Sequence, residues 1–257
     1  MVVASIFSDE ENYGRVQMFP SVHKILLAVE FFFEYDGQVC MKRGFFITFE
    51  GGEGAGKSIQ VEILASHLHE DGYNVTVTRE PGGTRIGEQI RAITHNQENV
   101  DLDAVSEAYL MAAARAQHVA QIIEPSLENG KVVVCDRYVD SSVAYQGYGR
   151  KLGADIIAQL NALAVNGAVP DLTILLDVPP EVGLRRRGKS LKPKDRLDLQ
   201  QKDFYERVHK GYLHLAKKDA SHYLVVDSTK PIESVSTMIW KRVQTALNAH
   251  YGKKSTA

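Results

Sequence analysis

The sequence has few of the features that mark secreted, membrane-spanning or nucleic-acid-binding proteins. Its 257 residues include only two cysteines, Cys40 and Cys135, too few for a disulfide framework or a cysteine-built zinc site. No apolar run reaches the roughly 18 residues that a transmembrane helix needs. The formal net charge of -2 lacks the basic excess of a general nucleic-acid binder. We therefore expect a reduced, cytoplasmic protein that binds neither membranes nor nucleic acids.

The composition and the order of the apolar runs favour a single α/β domain. Hydrophobic residues make up 44% and charged residues 24% of the chain, as in a globular protein with a substantial core. Five short apolar runs alternate with segments of helical periodicity. These runs lack polar alternation, which is typical of strands covered on both faces of a parallel sheet. The pattern predicts three layers, with helices on both faces of a five-stranded parallel sheet.

The predicted elements extend from residue 44 to residue 250. Strands are expected at 44–50, 74–78, 131–136, 172–177 and 222–227. Helices are expected at 57–71, 86–94, 104–127, 141–148, 154–165, 181–187, 199–217 and 232–250. The stretch 188–194, which combines Gly, Ser and Pro with lysines, predicts a mobile loop inside the domain.

The first forty residues differ from the rest of the chain. Acidic residues at 9–11 precede an apolar block at 25–33 that carries Glu30 inside it. This pattern matches neither a secretory signal nor a transit peptide. Because Met41 leads directly into the first predicted strand, we expect Met41 to be the natural start. Residues 1–40 would then be a poorly ordered extension from a mis-assigned start, and a genuine, weakly ordered tail is the alternative.

The segment 51–58, between the first predicted strand and the first predicted helix, matches the phosphate-binding pattern G-x-x-x-x-G-K-S. Glycines let backbone N–H groups turn toward phosphate oxygens, and a helix N-terminus favours their negative charge. We expect Lys57 to reach the β- and γ-phosphates and the Ser58 hydroxyl to help hold Mg²⁺. The residues predicted to bind ATP are Gly51, Gly52, Glu53, Gly54, Ala55, Gly56, Lys57, Ser58 and Ile59. This loop alone does not define the reaction, since GTPases, motor ATPases and small-molecule kinases share it.

Three further motifs narrow the reaction. Residues 79–84 read R-E-P-G-G-T, residues 136–138 read D-R-Y, and residues 144–150 read A-Y-Q-G-x-G-R. Together with the glutamate in the phosphate loop, they occur in the order found in thymidylate kinases, which the sequence resembles from residue 44 to about residue 245. The resemblance implies a P-loop kinase fold, transfer of the γ-phosphate of ATP to dTMP, Mg²⁺ as cofactor and a homodimer. Ligands bind at the carboxyl ends of strands in open α/β sheets, so these motifs should line one crevice.

The resemblance assigns the phosphate and sugar of dTMP to particular residues. Arg91 and Arg137 are placed around the phosphate, for which a planar guanidinium fork is suited. Each could instead be an ordinary ion-pair residue. Asp136 is expected to face Mg²⁺ through water, or only to anchor the arginine beside it. Glu53 is assigned to the sugar 3′-hydroxyl, and a solvated loop acid is the alternative.

Base recognition is expected from the long helix at the middle of the chain and from the A-Y-Q-G segment. By resemblance, Arg115 hydrogen-bonds the thymine and Ser142 approaches its other polar edge. Tyr145 would crowd a ribose 2′-hydroxyl, and Gln146 completes the predicted set. One helical turn before the arginine, relatives commonly carry a phenylalanine where this chain has Met111, which can cover a ring face or belong to the core.

The segment 185–198 resembles the lid of bacterial-type thymidylate kinases, which supplies their catalytic arginine. Other members place an arginine in the phosphate loop, where this chain has Ala55. The predicted catalytic residues are Lys57, Arg137, Arg186, Arg187 and Arg196, with Arg186 as the first candidate in the lid. A basic, solvated helix end is the alternative for this cluster. Residues 41–257 are thus predicted to form a thymidylate kinase domain with a lid at about 185–198.

Other functions remain open at this point. A deoxynucleoside kinase of the same architecture is the nearest, although the R-E-P-G-G-T and A-Y-Q-G-x-G-R motifs favour a monophosphate acceptor. A GTP-dependent switch is disfavoured because the chain has no N-K-x-D guanine motif. An inactive nucleotide-binding module is conceivable because of Met111 and because Ile59 replaces a usual hydroxyl residue. The presence of Lys57, Asp136 and the lid arginines opposes it.

Overall fold

A parallel sheet of five strands, formed by the predicted apolar runs, lies at the centre of the fold. The computed structural model describes residues 42–191 and 194–252; the predicted extension at 1–40 lies outside them. The strands are β1 (Phe45–Glu50), β2 (Val75–Arg79), β3 (Val132–Asp136), β4 (Leu172–Asp177) and β5 (Tyr223–Asp227). Their order in the sheet is β2-β3-β1-β4-β5, with every pair parallel. Each strand lies within one residue of its predicted bounds.

Helices connect the strands. They are α1 (Lys57–Glu70), α2 (Arg85–His95), α3 (Ala104–His118), α4 (Glu124–Glu128), α5 (Val139–Ser142), α6 (Ala154–Val165), α7 (Pro180–Gly188), α8 (Lys202–Lys218) and α9 (Ile232–Tyr251). Two π-helical turns, Val119–Ile123 and Val143–Gly149, follow α3 and α5, and a 3₁₀ turn spans Leu197–Leu199.

The side chains of β1 show why the fold has three layers. This strand is buried at all six positions and lies between β3 and β4. Successive side chains of a strand point to opposite faces of the sheet. On one face, Phe45 and Phe49 belong to a core cluster with side chains of α1 and α9. On the other, Phe46 packs with Ile123 and Leu127, at the end of the long helical segment. The predicted three-layer α/β fold is therefore confirmed.

The predicted helix at 104–127 is not one regular α-helix. It is continuous, but the π-helical turn Val119–Ile123 separates α3 from α4. Pro125 lies in the first turn of α4. Proline has no backbone N–H and its ring clashes with the carbonyl four residues earlier, so the regular hydrogen-bond ladder cannot continue through it. The predicted helix at 141–148 is likewise α5 followed by a π-helical turn.

None of the helices in the described part of the chain is long and apolar enough to cross a membrane. Cys135 on β3 is a buried free thiol, as expected for a cysteine in an apolar strand.

Candidate active site

The phosphate loop lies between the carboxyl end of β1 and the start of α1. Gly54 and Gly56 adopt φ angles of 65° and 89°, in the left-handed region that glycine enters without a steric penalty. The Lys57 ammonium folds back over the loop and donates to the carbonyls of Gly51, at 3.0 Å, and Gly52, at 2.8 Å. Burial, and then Arg137, lower the pKa of Lys57 to about 8. The loop thus holds a cation where the phosphates of a nucleotide would lie.

A serine and a carboxylate meet beside this loop. The Ser58 hydroxyl donates to Oδ2 of Asp136 at 2.7 Å, across the junction of α1 and β3. These are the two residues predicted to hold Mg²⁺. A hydroxyl and a carboxylate within one hydrogen bond fit that ion, because Mg²⁺ in phosphate sites takes few protein ligands and completes its shell with water and phosphate oxygens.

Arg137 is the most connected side chain at the carboxyl edge of the sheet. Its guanidinium donates to Glu53 at 2.8 Å, to the Gly51 carbonyl at 3.1 Å and to the Tyr212 hydroxyl at 3.1 Å. Tyr145 also donates to Glu53, at 2.8 Å. Burial alone would raise the pKa of Glu53, but Arg137 and then Lys57 hold it at about 2. A carboxylate and a guanidinium therefore face each other, both ionised, above the phosphate loop.

Glu50, which the motifs did not indicate, stabilises this arrangement through buried hydrogen bonds. It is fully buried at the end of β1 and accepts hydrogen bonds from the Tyr138 backbone N–H at 2.8 Å, the Ser141 hydroxyl at 2.6 Å and the Tyr212 hydroxyl at 3.2 Å. Burial, and then the charge of Asp140, raise the pKa of Glu50. The signal in the sequence is an acidic residue at the end of an otherwise apolar strand.

Two cavities open at this edge of the sheet. The larger one is a cleft that extends from the phosphate loop to the turn after β5. The smaller one is lined by all eight residues predicted to bind the acceptor, namely Glu53, Arg91, Met111, Arg115, Arg137, Ser142, Tyr145 and Gln146. The cavities share a wall made of Glu53, Glu80, Arg91, Arg137 and Asp195. The two cavities thus adjoin at charged side chains.

Arg115 lines the smaller cavity, but protein groups already occupy its donors. The guanidinium donates from Nε to Glu80 at 2.8 Å, and its Nη2 lies 2.7 Å from the same carboxylate. It also donates to the Ser142 hydroxyl at 3.1 Å, to the Tyr138 carbonyl at 3.1 Å and to Asn161. A guanidinium has five N–H donors. A direct hydrogen bond to a base therefore requires one of these contacts to be exchanged, and the Ser142 hydroxyl is the contact that also lines the cavity.

The last turn of α2 contributes one residue that sequence reasoning missed. His95 lines the smaller cavity together with Arg91. Burial, and then the charges of Arg91 and Arg137, lower the pKa of His95 to about 3. A neutral imidazole therefore lies beside two permanent cations. The pattern R-x-x-x-H, which puts the two side chains on one helical face, is the only local signal for it.

The lid arginines take three different positions. Arg186 and Arg187 line the larger cleft. Arg186 donates to the Ser228 carbonyl at 2.9 Å, and Arg187 forms a two-bond pair with Asp198 at 3.0 and 2.6 Å. Arg196 is only 3% exposed and donates to the Thr94 carbonyl and to Glu107. A buried ion pair thus holds the Arg196 guanidinium inside the protein, and the catalytic role expected for it stays a prediction.

Helix α7, which carries Arg186 and Arg187, touches the phosphate loop through backbone atoms. A methyl group added at Gly183 would overlap the carbonyl oxygen of Glu53, and one added at Gly54 would overlap the carbonyl oxygen of Gly183. Only glycine at both positions permits this approach. The positions of the lid arginines are therefore fixed directly against the loop.

Residues after β5 complete the larger cleft, and none of them was predicted. Ser228, Lys230 and Ile232 line it. The Ser228 hydroxyl is buried and has no hydrogen-bond partner among the described residues. The carboxyl end of β5 lies at the same edge of the parallel sheet as the phosphate loop, so the position of the strand was the available signal.

A phosphate loop that opens onto a second cavity lined by arginine side chains distinguishes a kinase from a GTPase or a motor protein. A kinase must bring a second anion up to the γ-phosphate, and Arg91 and Arg137 in the shared wall provide for that. The fold and the site together define a P-loop kinase.

Comparison with known proteins gives the family. The model of the thymidylate kinase family matches residues 49–239, and the chain belongs to this family. A thymidylate kinase of Geobacillus thermodenitrificans (strain NG80-2) is 45% identical over 212 residues, covering 82% of this chain and 93% of the relative. A thymidylate kinase of Geotalea uraniireducens (strain Rf4) is 45% identical over 201 residues, covering 76% of this chain and 94% of the relative. The crystal structure of thymidylate kinase from Ehrlichia chaffeensis has a TM-score of 0.64 and 36% identity, and the match covers 79% of this chain and 99% of that one.

Proposed function

We propose that this protein transfers the γ-phosphate of ATP to dTMP and releases dTDP and ADP. The observation that carries the proposal is that Glu53, Arg91 and Arg137 line both the phosphate cleft and the smaller cavity. A phosphate oxygen of dTMP attacks the γ-phosphorus, a new P–O bond forms, and the bond to ADP breaks. The protein contributes by positioning the two anions and by stabilising the charge spread over the transferred group.

Arg137 and Arg91 are the proposed ligands of the dTMP phosphate. Arg137 can turn donors from the Gly51 carbonyl and from Tyr212 toward a phosphate and keep its pair with Glu53. Arg91 donates to the Pro81 carbonyl at 3.1 Å, which directs it to the same wall. Glu53 remains ionised, so it can accept a hydrogen bond from the sugar 3′-hydroxyl beside Tyr145.

In the larger cleft, Lys57 and the loop amides are the proposed ligands of the ATP phosphates, and the end at Ser228 and Lys230 is left for the base. Ser58 and Asp136 would hold Mg²⁺, directly or through water. This ion, when bound, neutralises charge that develops on the β- and γ-phosphate oxygens. Arg186 and Arg187 are the proposed lid cations, since both side chains line the cleft. We assign Arg196 to positioning instead.

The proposed assembly is a homodimer formed through α3 and α6, and the proposed compartment is the cytoplasm. On α3, Val105 and Tyr109 are 49% and 60% exposed; on α6, Ile156 and Leu163 are 63% and 89% exposed. Residues four and seven apart lie on one helical face, and the two helices pack against each other. An exposed apolar patch of this kind is typical of an interface between protein chains.

The decisive experiment is a coupled assay of ADP release by the full chain with ATP, Mg²⁺ and single acceptors. We expect rapid turnover with dTMP, weak turnover with dUMP and none with thymidine. Turnover with thymidine would indicate a deoxynucleoside kinase, because Arg91 and Arg137 would then serve no acceptor phosphate. Nucleotide binding without turnover of any acceptor would indicate an inactive module and would contradict the proposal.

A further inference from the structure

A buried carboxylate lies directly behind the acceptor cavity. Glu107 on α3 is fully buried and touches two segments that are far apart in sequence, one at 146–150 and one at 196. Its Oε1 accepts from the Gln146 side-chain amide at 2.7 Å, and its Oε2 accepts from Arg150 at 3.0 Å and from Arg196. Burial would raise the pKa of Glu107, but Arg150 and the hydrogen bonds lower it. The carboxylate is therefore ionised and can only accept hydrogen bonds.

This contact fixes which way the Gln146 amide points. The amide has a donor end, NH₂, and an acceptor end, the carbonyl oxygen. Turning it over would bring the carbonyl oxygen against the ionised Glu107, two acceptors with no proton between them. The NH₂ group must therefore face Glu107. The side-chain carbonyl oxygen of Gln146 accepts no hydrogen bond from the described residues, and Gln146 lines the acceptor cavity.

The two cavity groups that would contact the base then have fixed roles in hydrogen bonding, one as an acceptor and one as a donor. The side-chain carbonyl oxygen of Gln146 is an acceptor. The Ser142 oxygen already accepts from Arg115 at 3.1 Å, so its own proton is available as a donor. Thymine offers a donor at N3–H and an acceptor at O4, whereas cytosine offers a lone pair at N3 and an amino group at C4.

We propose that Glu107 is a positioning residue for base selection, which holds the side-chain carbonyl oxygen of Gln146 toward the acceptor base. That oxygen accepts the N3–H of thymine and repels the N3 lone pair of cytosine. The proposal rests on the proposed function, in that the acceptor is dTMP. Glu107 itself contacts no substrate. It acts through Gln146.

The test is the selectivity for dTMP over dCMP, measured as the ratio of their kcat/KM values. In Glu107→Gln the charge is lost, so the Gln146 amide can take either orientation. We expect the ratio to fall about tenfold, as for one neutral hydrogen bond. The control is Glu62→Gln, the same change at an exposed position of α1, which should leave the ratio unchanged. A folded Glu107→Gln variant that loses activity equally on both acceptors would overturn the proposal.

A second variant keeps the test decisive if Glu107→Gln does not fold. Gln146→Met removes the amide but keeps the volume, and it must lower the ratio to a similar extent. In the double variant, Glu107→Gln must add no further loss of selectivity to Gln146→Met. An unchanged ratio in Gln146→Met, or losses that multiply in the double variant, would reject the inference. Failure of the proposed function shows separately, as lack of dTMP turnover by the unaltered protein.

Discussion

At the scale of single residues, the site depends on a guanidinium shared between the two cavities. Arg137 donates to backbone, hydroxyl and carboxylate groups at once, which a planar fork can do and a single ammonium cannot. It also adopts a φ angle of 71°, in the left-handed region that residues other than glycine rarely enter.

We predict that Arg137→Lys keeps the charge but lowers kcat/KM for dTMP by roughly 10- to 100-fold, the value of one charge-assisted hydrogen bond. The loss follows because lysine cannot hold Glu53 and the acceptor phosphate together. Steady-state kinetics of ADP release measure the effect. Arg85→Lys, at an exposed position of α2, is the matched control. A fall of less than threefold in kcat/KM for Arg137→Lys would show that the planar guanidinium is not needed.

His95 predicts a specific dependence of stability on pH. Its pKa is lowered to about 3 in the folded protein, below the usual value near 6.5. Stabilisation by the neutral ring is therefore complete above pH 6.5 and is lost as the pH falls toward 3. The free energy of unfolding of the unaltered protein should fall by up to about 2 kcal/mol relative to His95→Leu between pH 7 and pH 5. Denaturant unfolding at both pH values measures the effect. A constant difference between the two proteins would show that burial of a neutral His95 is not the cause.

The residues found from the sequence and those missed differ in kind. Lys57 and Asp136 follow from local motifs beside predicted strands. Glu107 does not, because its partners at 146, 150 and 196 come together only in the folded chain. Glu50 was missed for the same reason. Sequence motifs therefore reveal the residues that bind a ligand. They do not reveal the buried charged residues that hold those residues in place, because the partners of such a residue are distant in sequence.

At the scale of elements, the strands were predictable and the helix details were not. Apolar runs without polar alternation define β1, β3 and β4 because both faces of these strands are covered. The π-helical turns at Val119–Ile123 and Val143–Gly149 carry no comparable pattern, since a π turn differs from an α turn in which carbonyl accepts each backbone N–H, and the identities of the side chains do not show this. The second of these turns carries Tyr145 and Gln146, which line the acceptor cavity, and such turns are frequent at functional sites.

The close approach of α7 to the phosphate loop gives an element-scale prediction. Gly183→Ala must push α7 away from the Glu53 carbonyl, which displaces Arg186 and Arg187 from the cleft. We expect a loss of stability of about 1–3 kcal/mol, as for overpacking, and a fall in kcat. Thermal unfolding and turnover measure the two effects. Gly188→Ala, in the same helix but with no atom near the added methyl group, should change neither. Equal stability and equal kcat in the two variants would show that α7 does not pack tightly against the phosphate loop.

At the scale of the whole molecule, the proposed dimer makes a direct prediction. Leu163→Glu places a charge on the exposed apolar face of α6, where the side chain is 89% exposed. Folding should be unaffected because the position contributes little to the core of one chain. Sedimentation should show the mass of a monomer for this variant and of a dimer for the unaltered protein. Met238→Glu, on α9, is the control and should remain a dimer. A monomeric unaltered protein would exclude the proposed assembly.

The strand order has a consequence for the synthesis of the chain on the ribosome. β1, at the centre of the sheet, is made before both neighbours, and its partners on β4 lie 125 residues later. At a translation rate of about 5–20 residues per second, β4 is made roughly 6 to 25 s after the F-F-I-T-F-E segment of β1. Its edge toward β4 stays unpaired throughout that interval, and both edges are unpaired until β3 is made. A nearly uncharged strand in this state is of the kind that aggregates. Protection of this nascent segment, more than the stability of the finished enzyme, should set the yield of protein when the chain is translated rapidly.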